Sequence, residues 1–453
     1  MQAQDIASPS LPQEAGFIEQ QKNQTAALPI PGLLAWPRIR QACFSLTDQA
    51  LSVGGMFLVN VALARTQSKE EYGVFALSYS VFTFLAGVHN AAILETYTVY
   101  GSGRYHRHLP EYGRLLWRRN VLLSLGLSAT VAAIWGALEW VLPAFASGTI
   151  LGLALSCGVL LTASFIRRTF YIRRRPDLAA RFSTVFFATC TLLLWLSIRV
   201  RVLDGFCAFV IAALAWTVAG VSVARELPGS TARQNFMEIE PKYWSEHWKY
   251  ARWVLVTALV FQFTTQGYYW LAAGLLSVKE TGDLRAMFNL VSPVDQVYIA
   301  MSFLILPMMA HRYASSQMAG LLPLWKAYCI GCLVVMGGFA ALVNLFGKSA
   351  MHALYAGRFD DVAPFVGTLA FLPFVMAAGN TMNDALKASE KPKLVFNAYV
   401  CSGTATFLVG IPLVMRLGLR GAVYGTLFSA AAYTGALAAG FLLHVRERAR
   451  QHA

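Results

Sequence analysis

The sequence predicts an all-α polytopic membrane protein, with twelve transmembrane helices in two six-helix lobes related by a parallel internal repeat. Three observations carry this prediction. The 453-residue chain is 57% apolar and 13% charged, about half the charged share of soluble domains. Twelve stretches reach the roughly 20 apolar residues that a hydrocarbon core demands. The basic residues, 37 against 23 acidic ones for a net charge of +14, are spread unevenly between alternate loops. A soluble enzyme is excluded because too little charge is present to cover its surface. Disorder is excluded for the bulk of the chain because so much of it is apolar.

The spans are expected at about 42–64, 73–99, 120–143, 147–166, 180–198, 203–224, 253–276, 286–309, 324–347, 362–383, 394–415 and 421–444. With both termini in the cytoplasm, cytoplasmic segments hold 27 Lys and Arg and the opposite loops hold 10. This bias is the positive-inside pattern and requires an even number of spans. A nucleic-acid partner would need basic residues gathered on one soluble module, and this map contains none.

The expected organisation follows. Residues 1–40, rich in Gln, Pro, Ala and Ser, read as a flexible cytoplasmic tail. Residues 41–224 form the N-lobe and 253–445 the C-lobe. Between them, 225–252 is a cytoplasmic interfacial linker, in which Tyr243, Trp244, Trp248 and Tyr250 stand among Lys242, Glu246 and Lys249. Residues 446–453 are a cytoplasmic C-terminal tail.

The two lobes repeat a pattern. Glu70-Glu71-Tyr72-Gly73 follows the first span, and Lys279-Glu280-Thr281-Gly282 follows the seventh, 209 residues later. Arg175-Pro176 and Lys391-Pro392 open the fifth and eleventh spans, 216 apart; Gly205 and Gly421 keep that spacing. Six spans separate each pair, so both members share a membrane orientation, as in a parallel repeat. Shared loop chemistry is the competing explanation, since Gly ends turns and Pro starts helices. Two lobes around a cleft suit alternating access by rocking.

Polar residues in spans face the protein interior or water, because hydrocarbon penalises them. Ser45, Gln49, Ser52 and Asn60 share a face of the first span. Thr83, Asn90 and Tyr97 recur every seven residues in the second. Gln262, Gln266 and Tyr269 share a face of the seventh, as Arg285, Asn289, Ser292 and Gln296 do of the eighth. Asn380, Asn383, Asp384 and Lys387 form a stripe at the end of the tenth. These amide-rich spans are expected to line the cleft, and the amide-poor third, sixth and ninth to face lipid. Neutral donors and acceptors with aromatic faces suit sugars; hydrogen bonding between helices is the simpler role for any one of them.

Asp295, two residues after Pro293, is the leading candidate for coupling to a cation or proton, followed by Asp48 and Glu95. The last two are also placed to pair with loop arginines. Glu139 is expected at an interface and His89 in a bundle hydrogen bond. Arg252 and Arg285 open the seventh and eighth spans, and arginine binds phosphate bidentately. The cluster Arg167, Arg168, Arg173, Arg174 and Arg175 fits topology and anionic lipid better. No Walker A sequence, nucleophile-elbow serine or His-Glu-x-x-His zinc motif occurs. No cofactor or metal is expected, and no large outer loop is available to carry catalytic groups.

A resemblance joins these features. Asp48-Gln49-Ala50-Leu51 to Gly54, Leu63-Ala64-Arg65 and Glu71-Tyr72-Gly73-Val74-Phe75-Ala76-Leu77 resemble the opening of polysaccharide-biosynthesis flippases of the multidrug/oligosaccharidyl-lipid/polysaccharide exporter superfamily. Arg168-x-x-Tyr171 with Arg175-Pro176, Gly282-x-x-Arg285-Ala286, Pro293 with Gln296, and Leu417-x-x-Arg420-Gly421-Ala422-x-x-Gly425 extend it over roughly 40–445. The resemblance implies a transporter that flips a polyprenyl-pyrophosphate-linked oligosaccharide across the bacterial inner membrane for surface polysaccharide. The glycan would cross in the polar cavity while the prenyl tail stays in lipid. Its partners would be the lipid-linked glycan, membrane lipids, and a polysaccharide polymerase with other assembly proteins, with no nucleic acid. Lipid II flippases of this superfamily place several arginines in the cavity, where the first two spans here show Asp48, Asn60, Asn90 and Glu95. The alternatives are a cation-coupled multidrug antiporter using Asp48 and Asp295, and an integral-membrane sugar polymerase or ligase.

Overall fold

The computed structural model describes residues 36–102, 105, 108–226 and 236–451, and every regular element among them is a helix. Residues 1–35 of the expected tail (1–40) and 227–235 of the linker lie outside the described residues; residues 36–40 of that tail are helical, as the start of α1. Contacts divide the chain into two units, 1–43 and 44–453; the second is described below.

Six helices make the N-lobe. They are α1 (Trp36–Thr66), α2 (Lys69–Ser102), α3 (Leu109–Leu138), α4 (Ala144–Ile172), α5 (Pro176–Val200) and α6 (Gly205–Val223). The C-lobe begins with α7 (Phe236–Leu275), which runs unbroken from the linker through the seventh span. There follow α8 (Val278–Val291), a 3₁₀ turn (Ser292–Val294) and α9 (Asp295–Tyr355). A break at Ser316 and Gln317, the latter at φ 49°, splits α9 into the end of the eighth span and the whole ninth. The chain ends with α10 (Ala363–Ala388), α11 (Pro392–Leu417) and α12 (Leu419–Gln451).

Ten helices among the described residues are long and apolar enough to cross a membrane. The expected seventh and eighth spans are not among the ten. Both carry amide side chains, and the 3₁₀ turn at Pro293 interrupts the eighth. Span two is also interrupted, by a π-helical turn at Asn90–Leu94. Irregular backbone at membrane depth is tolerated where it is enclosed by protein or lines a cavity. Large apolar side chains such as Leu122 on α3, Val221 on α6 and Leu345 on α9 stay exposed, as lipid contact requires.

The repeat is written in the backbone. Ser68 caps α2 through Glu71 N–H, and Ser277 caps α8 through Glu280 N–H, again 209 residues apart. Arg174 (φ 57°) and Glu390 (φ 59°) make the same left-handed turn before Arg175-Pro176 and Lys391-Pro392. Each proline takes the first helical position, where its missing N–H costs nothing.

At the end of the molecule where α1 meets α2, one hydrophobic core runs through both lobes. It joins Tyr72, Phe75 and Phe209 to Leu284, Met287, Tyr355 and Phe359. At the opposite end, the cores are separate. Tyr112, Leu115 and Phe165 belong to the N-lobe; Tyr328, Met336, Leu386 and Tyr433 belong to the C-lobe. The lobes are therefore closed over one end of the cleft and parted at the other.

Candidate translocation cleft

At the closed end, the two copies of the repeated glycine meet. A Cβ on Gly73 would lie 1.9 Å from the Val278 carbonyl oxygen, and one on Gly282 would lie 3.1 Å from the Gly73 Cα. Close approach of the lobes, rather than turn geometry, is what glycine serves here. Lys69 bridges to Asp283 at 3.0 Å and to Asp361 at 2.7 Å. Arg65 donates to the Ala353 carbonyl at 2.8 Å, and Arg358 donates to that of Gln67.

Below this seal lies a polar cage. Arg285 Nε donates to Asn60 Oδ1 at 3.2 Å. The guanidinium lies 4.4 Å from the centre of the Tyr79 ring and 5.9 Å from that of Tyr269. Asn289 Nδ2 donates to the Tyr72 hydroxyl at 2.9 Å, and the Tyr355 hydroxyl donates to the Ala286 carbonyl at 3.0 Å. Among the described residues, no carboxylate stands within ion-pair distance of Arg285. Its charge is met by an amide oxygen and aromatic faces.

Toward the open end, Arg168 Nη2 donates to Asn90 Oδ1 at 3.2 Å. It too has no carboxylate within ion-pair distance among the described residues. Its neighbour Arg167 differs, gripping Asp48 with Nε to Oδ1 at 3.1 Å and Nη2 to Oδ2 at 2.7 Å. The Tyr171 hydroxyl donates to the same carboxylate at 2.7 Å, and Ser183 donates as well. Asp48 is fully buried, so its charge is spent stapling α1, α4 and α5 together.

The C-lobe holds a different carboxylate. Asp384 Oδ2 accepts from Ser302 at 2.8 Å and from Tyr298 and Tyr328 at 3.1 Å each. No cation lies within ion-pair distance of it among the described residues. Asp295 and Gln296 are half-buried beside the 3₁₀ turn, with no side-chain hydrogen bond among the described residues. Gln262 Nε2 donates to the Thr83 carbonyl at 3.2 Å across the lobes, in a space left by Gly87. Gln266 keeps a buried Oε1 without a partner among the described residues.

The end of the linker packs on the N-lobe. His247 is fully buried; its Nε2 donates to the Ala92 carbonyl at 2.8 Å and its Nδ1 accepts from the Tyr112 hydroxyl at 2.7 Å. Burial pushes its pKa down to about 4. Trp244 stacks on the imidazole at 5.3 Å, while Trp248 stays exposed.

Of the residues singled out in the sequence, the structure brings Asn60, Tyr269, Arg285 and Asn289 into one cage. Asn90 stands toward the other end of the cleft, and Gln262 bridges the lobes. Gln49 is half-buried, its carbonyl accepting from Ser52 at 3.2 Å. Glu95 is exposed on α2, one turn beyond Asn90. Arg252 is exposed and lies 5.8 Å from the ring of Trp253, itself exposed, apart from the amides of α7. Tyr97 stacks on Phe165 at 5.2 Å inside the N-lobe. His89 bonds Asn120 at 2.6 Å, and Glu139 is exposed at the end of α3. Two further residues enter the candidate site: Arg168, which the sequence places in a loop cluster, and Asp384 from the stripe of the tenth span. The spacing of 216 was the available signal, because it makes these two residues equivalent.

No protein-family model matches the chain, and no curated protein matches it. Solved structures do. The chain is similar to a multidrug resistance MATE family transporter of the MOP superfamily in its inward-facing conformation, with TM-score 0.69 and 14% identity over 90% of this chain and 99% of that one. The outward-facing conformation of a multidrug resistance MATE family transporter gives TM-score 0.63 at 12% identity, over 92% and 96%. A MOP superfamily transporter from Pyrococcus furiosus Vc1 (DSM3638) gives 0.66 at 11% identity, over 90% and 94%. These likenesses establish the fold of a multi-pass membrane transporter.

Proposed function

We propose that this protein flips a polyprenyl-pyrophosphate-linked oligosaccharide across the bacterial inner membrane by alternating access, in the service of surface polysaccharide synthesis. One observation carries the reading: Arg168 and Arg285 stand along the cleft among amides and tyrosines, with no carboxylate within ion-pair distance among the described residues; for Arg168 the nearest electrostatic partner is the exposed Glu95. A partly buried cation without a counter-ion is costly, and an anionic head group would supply one. Guanidinium binds phosphate through two parallel hydrogen bonds, and the amides and hydroxyls suit a glycan. The 27 to 10 bias of basic residues supports cytoplasmic termini and a parted end that faces the cytoplasm. Substrate would enter there, and the prenyl chain would stay in lipid. Arg168 replaces Arg252 as the phosphate contact; Asp295, Asp384 and Glu95 are the groups available for coupling. The flipped product would be consumed by a polymerase on the far side.

The test is deletion of the protein with chemical analysis of lipid-linked glycans. The expected result is an intact intermediate accumulating in the inner leaflet; altered glycan structure would instead indicate an enzyme of sugar assembly. Asp295→Asn at normal protein level is expected to lose surface polysaccharide, and wild-type export would remove Asp295 from the mechanism. A second reading, a cation-coupled multidrug antiporter, is favoured by Asp384, whose hydrogen bonds come from hydroxyls alone and which has no cation within ion-pair distance among the described residues. It predicts raised tolerance to cationic drugs on expression and no glycan accumulation on deletion.

A further inference from the structure

The π-helical turn at Asn90–Leu94 needs an external reason to exist. It inserts one residue into α2, and annealing to a regular helix would rotate Asn90 by about 100° relative to the residues beyond it. Such an annealing would carry Asn90 away from Arg168, whose Nη2 it now meets at 3.2 Å.

The reason comes from the linker. His247 reaches into the turn and donates Nε2–H to the Ala92 carbonyl at 2.8 Å, two residues beyond Asn90. Its other nitrogen accepts from Tyr112 of α3 at 2.7 Å, so both bonds agree on a single neutral tautomer. Trp244 covers one face of the ring at 5.3 Å, and Arg119 lies 4.9 Å above Trp244. The imidazole is thus held on three sides, and α7 carries it on a helix continuous with the seventh span.

We propose that His247 is a positioning residue: from the linker it fixes the π-helical turn of α2 and thereby holds Asn90 and the Arg168 guanidinium in place in the cleft. Its effect on transport rests on the flippase reading; its effect on the helix does not.

The experiment compares the full-length wild type with His247→Ala and His247→Gln. Glutamine supplies both a donor for Ala92 and an acceptor for Tyr112. The first readout is peptide-resolved amide exchange. His247→Ala is expected to speed exchange in 86–96 by roughly ten-fold, on the scale of one buried hydrogen bond, with His247→Gln near wild type. Unchanged exchange in 86–96 would overturn the proposal, whatever the linker does. The second readout is flipping of a polyprenyl-pyrophosphate-linked oligosaccharide in proteoliposomes. His247→Ala is expected to raise KM with little change in kcat, and to add nothing to Asn90→Ala. Full additivity of the two would overturn the positioning role. If His247→Ala does not fold, Tyr112→Phe, which removes one of the two bonds, replaces it under the same two criteria. If the wild type flips nothing, the flippase reading fails and the exchange result still decides the role of His247.

Discussion

Arg168 and Asp384 occupy the same place in the two halves of the repeat, 216 residues apart, and they carry opposite charge. Each lies near the end of the fourth helix of its lobe, before the same left-handed turn at Arg174 and Glu390. Around Arg168, the fold offers one amide oxygen and leaves guanidinium donors available. Around Asp384, it offers three hydroxyls and no cation within ion-pair distance among the described residues. The two halves share one scaffold, and their side chains at this place differ. On the proposed flippase reading, the N-lobe position would receive negative charge and the C-lobe position would hold it, so that one lobe binds an anion and the other couples.

The most demanding way to break this comparison is to neutralise each member. Arg168→Gln is expected to raise KM for a pyrophosphate-linked substrate by about 10²-fold, the scale of a lost charge-assisted pair. Asp384→Asn should leave binding near wild type and abolish ion-driven turnover. Binding measured on purified protein and flipping measured in proteoliposomes separate the two effects. Identical phenotypes would show that the lobes are not divided in this way.

Gly73→Ala is the next largest perturbation, because its Cβ would fall 1.9 Å from a backbone oxygen. The closed end should then fail to seat. A cysteine placed at Asn60 should become reactive toward an impermeant thiol reagent added outside the cell, whereas the same cysteine beside Gly73 stays protected.

The staple at Asp48 sharpens the contrast within the N-lobe itself. Asp48→Ala would leave Arg167 without a carboxylate, and breaking a buried pair costs about 3–5 kcal/mol. A marked fall in thermal stability is expected, while the exposed pair Arg175–Asp177 should be removable with little loss, because solvent screens it. Equal losses would mean that Asp48 is not the structural member of its cluster.

The smallest effect concerns pH. Unfolded, His247 takes a proton near its ordinary value of 6.5; folded, it resists protonation down to about pH 4. Between these values, the unfolded state binds more protons, so stability falls as pH drops through that window. The loss amounts to about 2–3 kcal/mol by pH 4, and His247→Gln should flatten that part of the profile.

These contrasts show what was legible in the residues beforehand. The stripes in spans one, seven and eight correctly grouped Asn60, Tyr269, Arg285 and Asn289, because helical periodicity determines which side chains share a face. The same logic did not place Arg252, which is exposed beside Trp253. It stands at the head of the amide-rich seventh span, yet periodicity along one helix says nothing of what the opposite lobe presents to it. Arg167 and Arg168 are adjacent in sequence and look alike in a cluster of arginines. One is consumed by Asp48 and the other is not, a distinction that only packing of α1 and α5 against α4 creates.

Hydropathy, loop charge and the spacings of 209 and 216 are properties of short stretches, so the chain alone dictates its spans, its repeat and its polar stripes. Which charges are neutralised, which glycines let the lobes touch, and which end of the cleft is sealed depend on residues hundreds of positions apart. Those were settled only when the helices packed, since an ion pair or a close approach exists only between surfaces that have met.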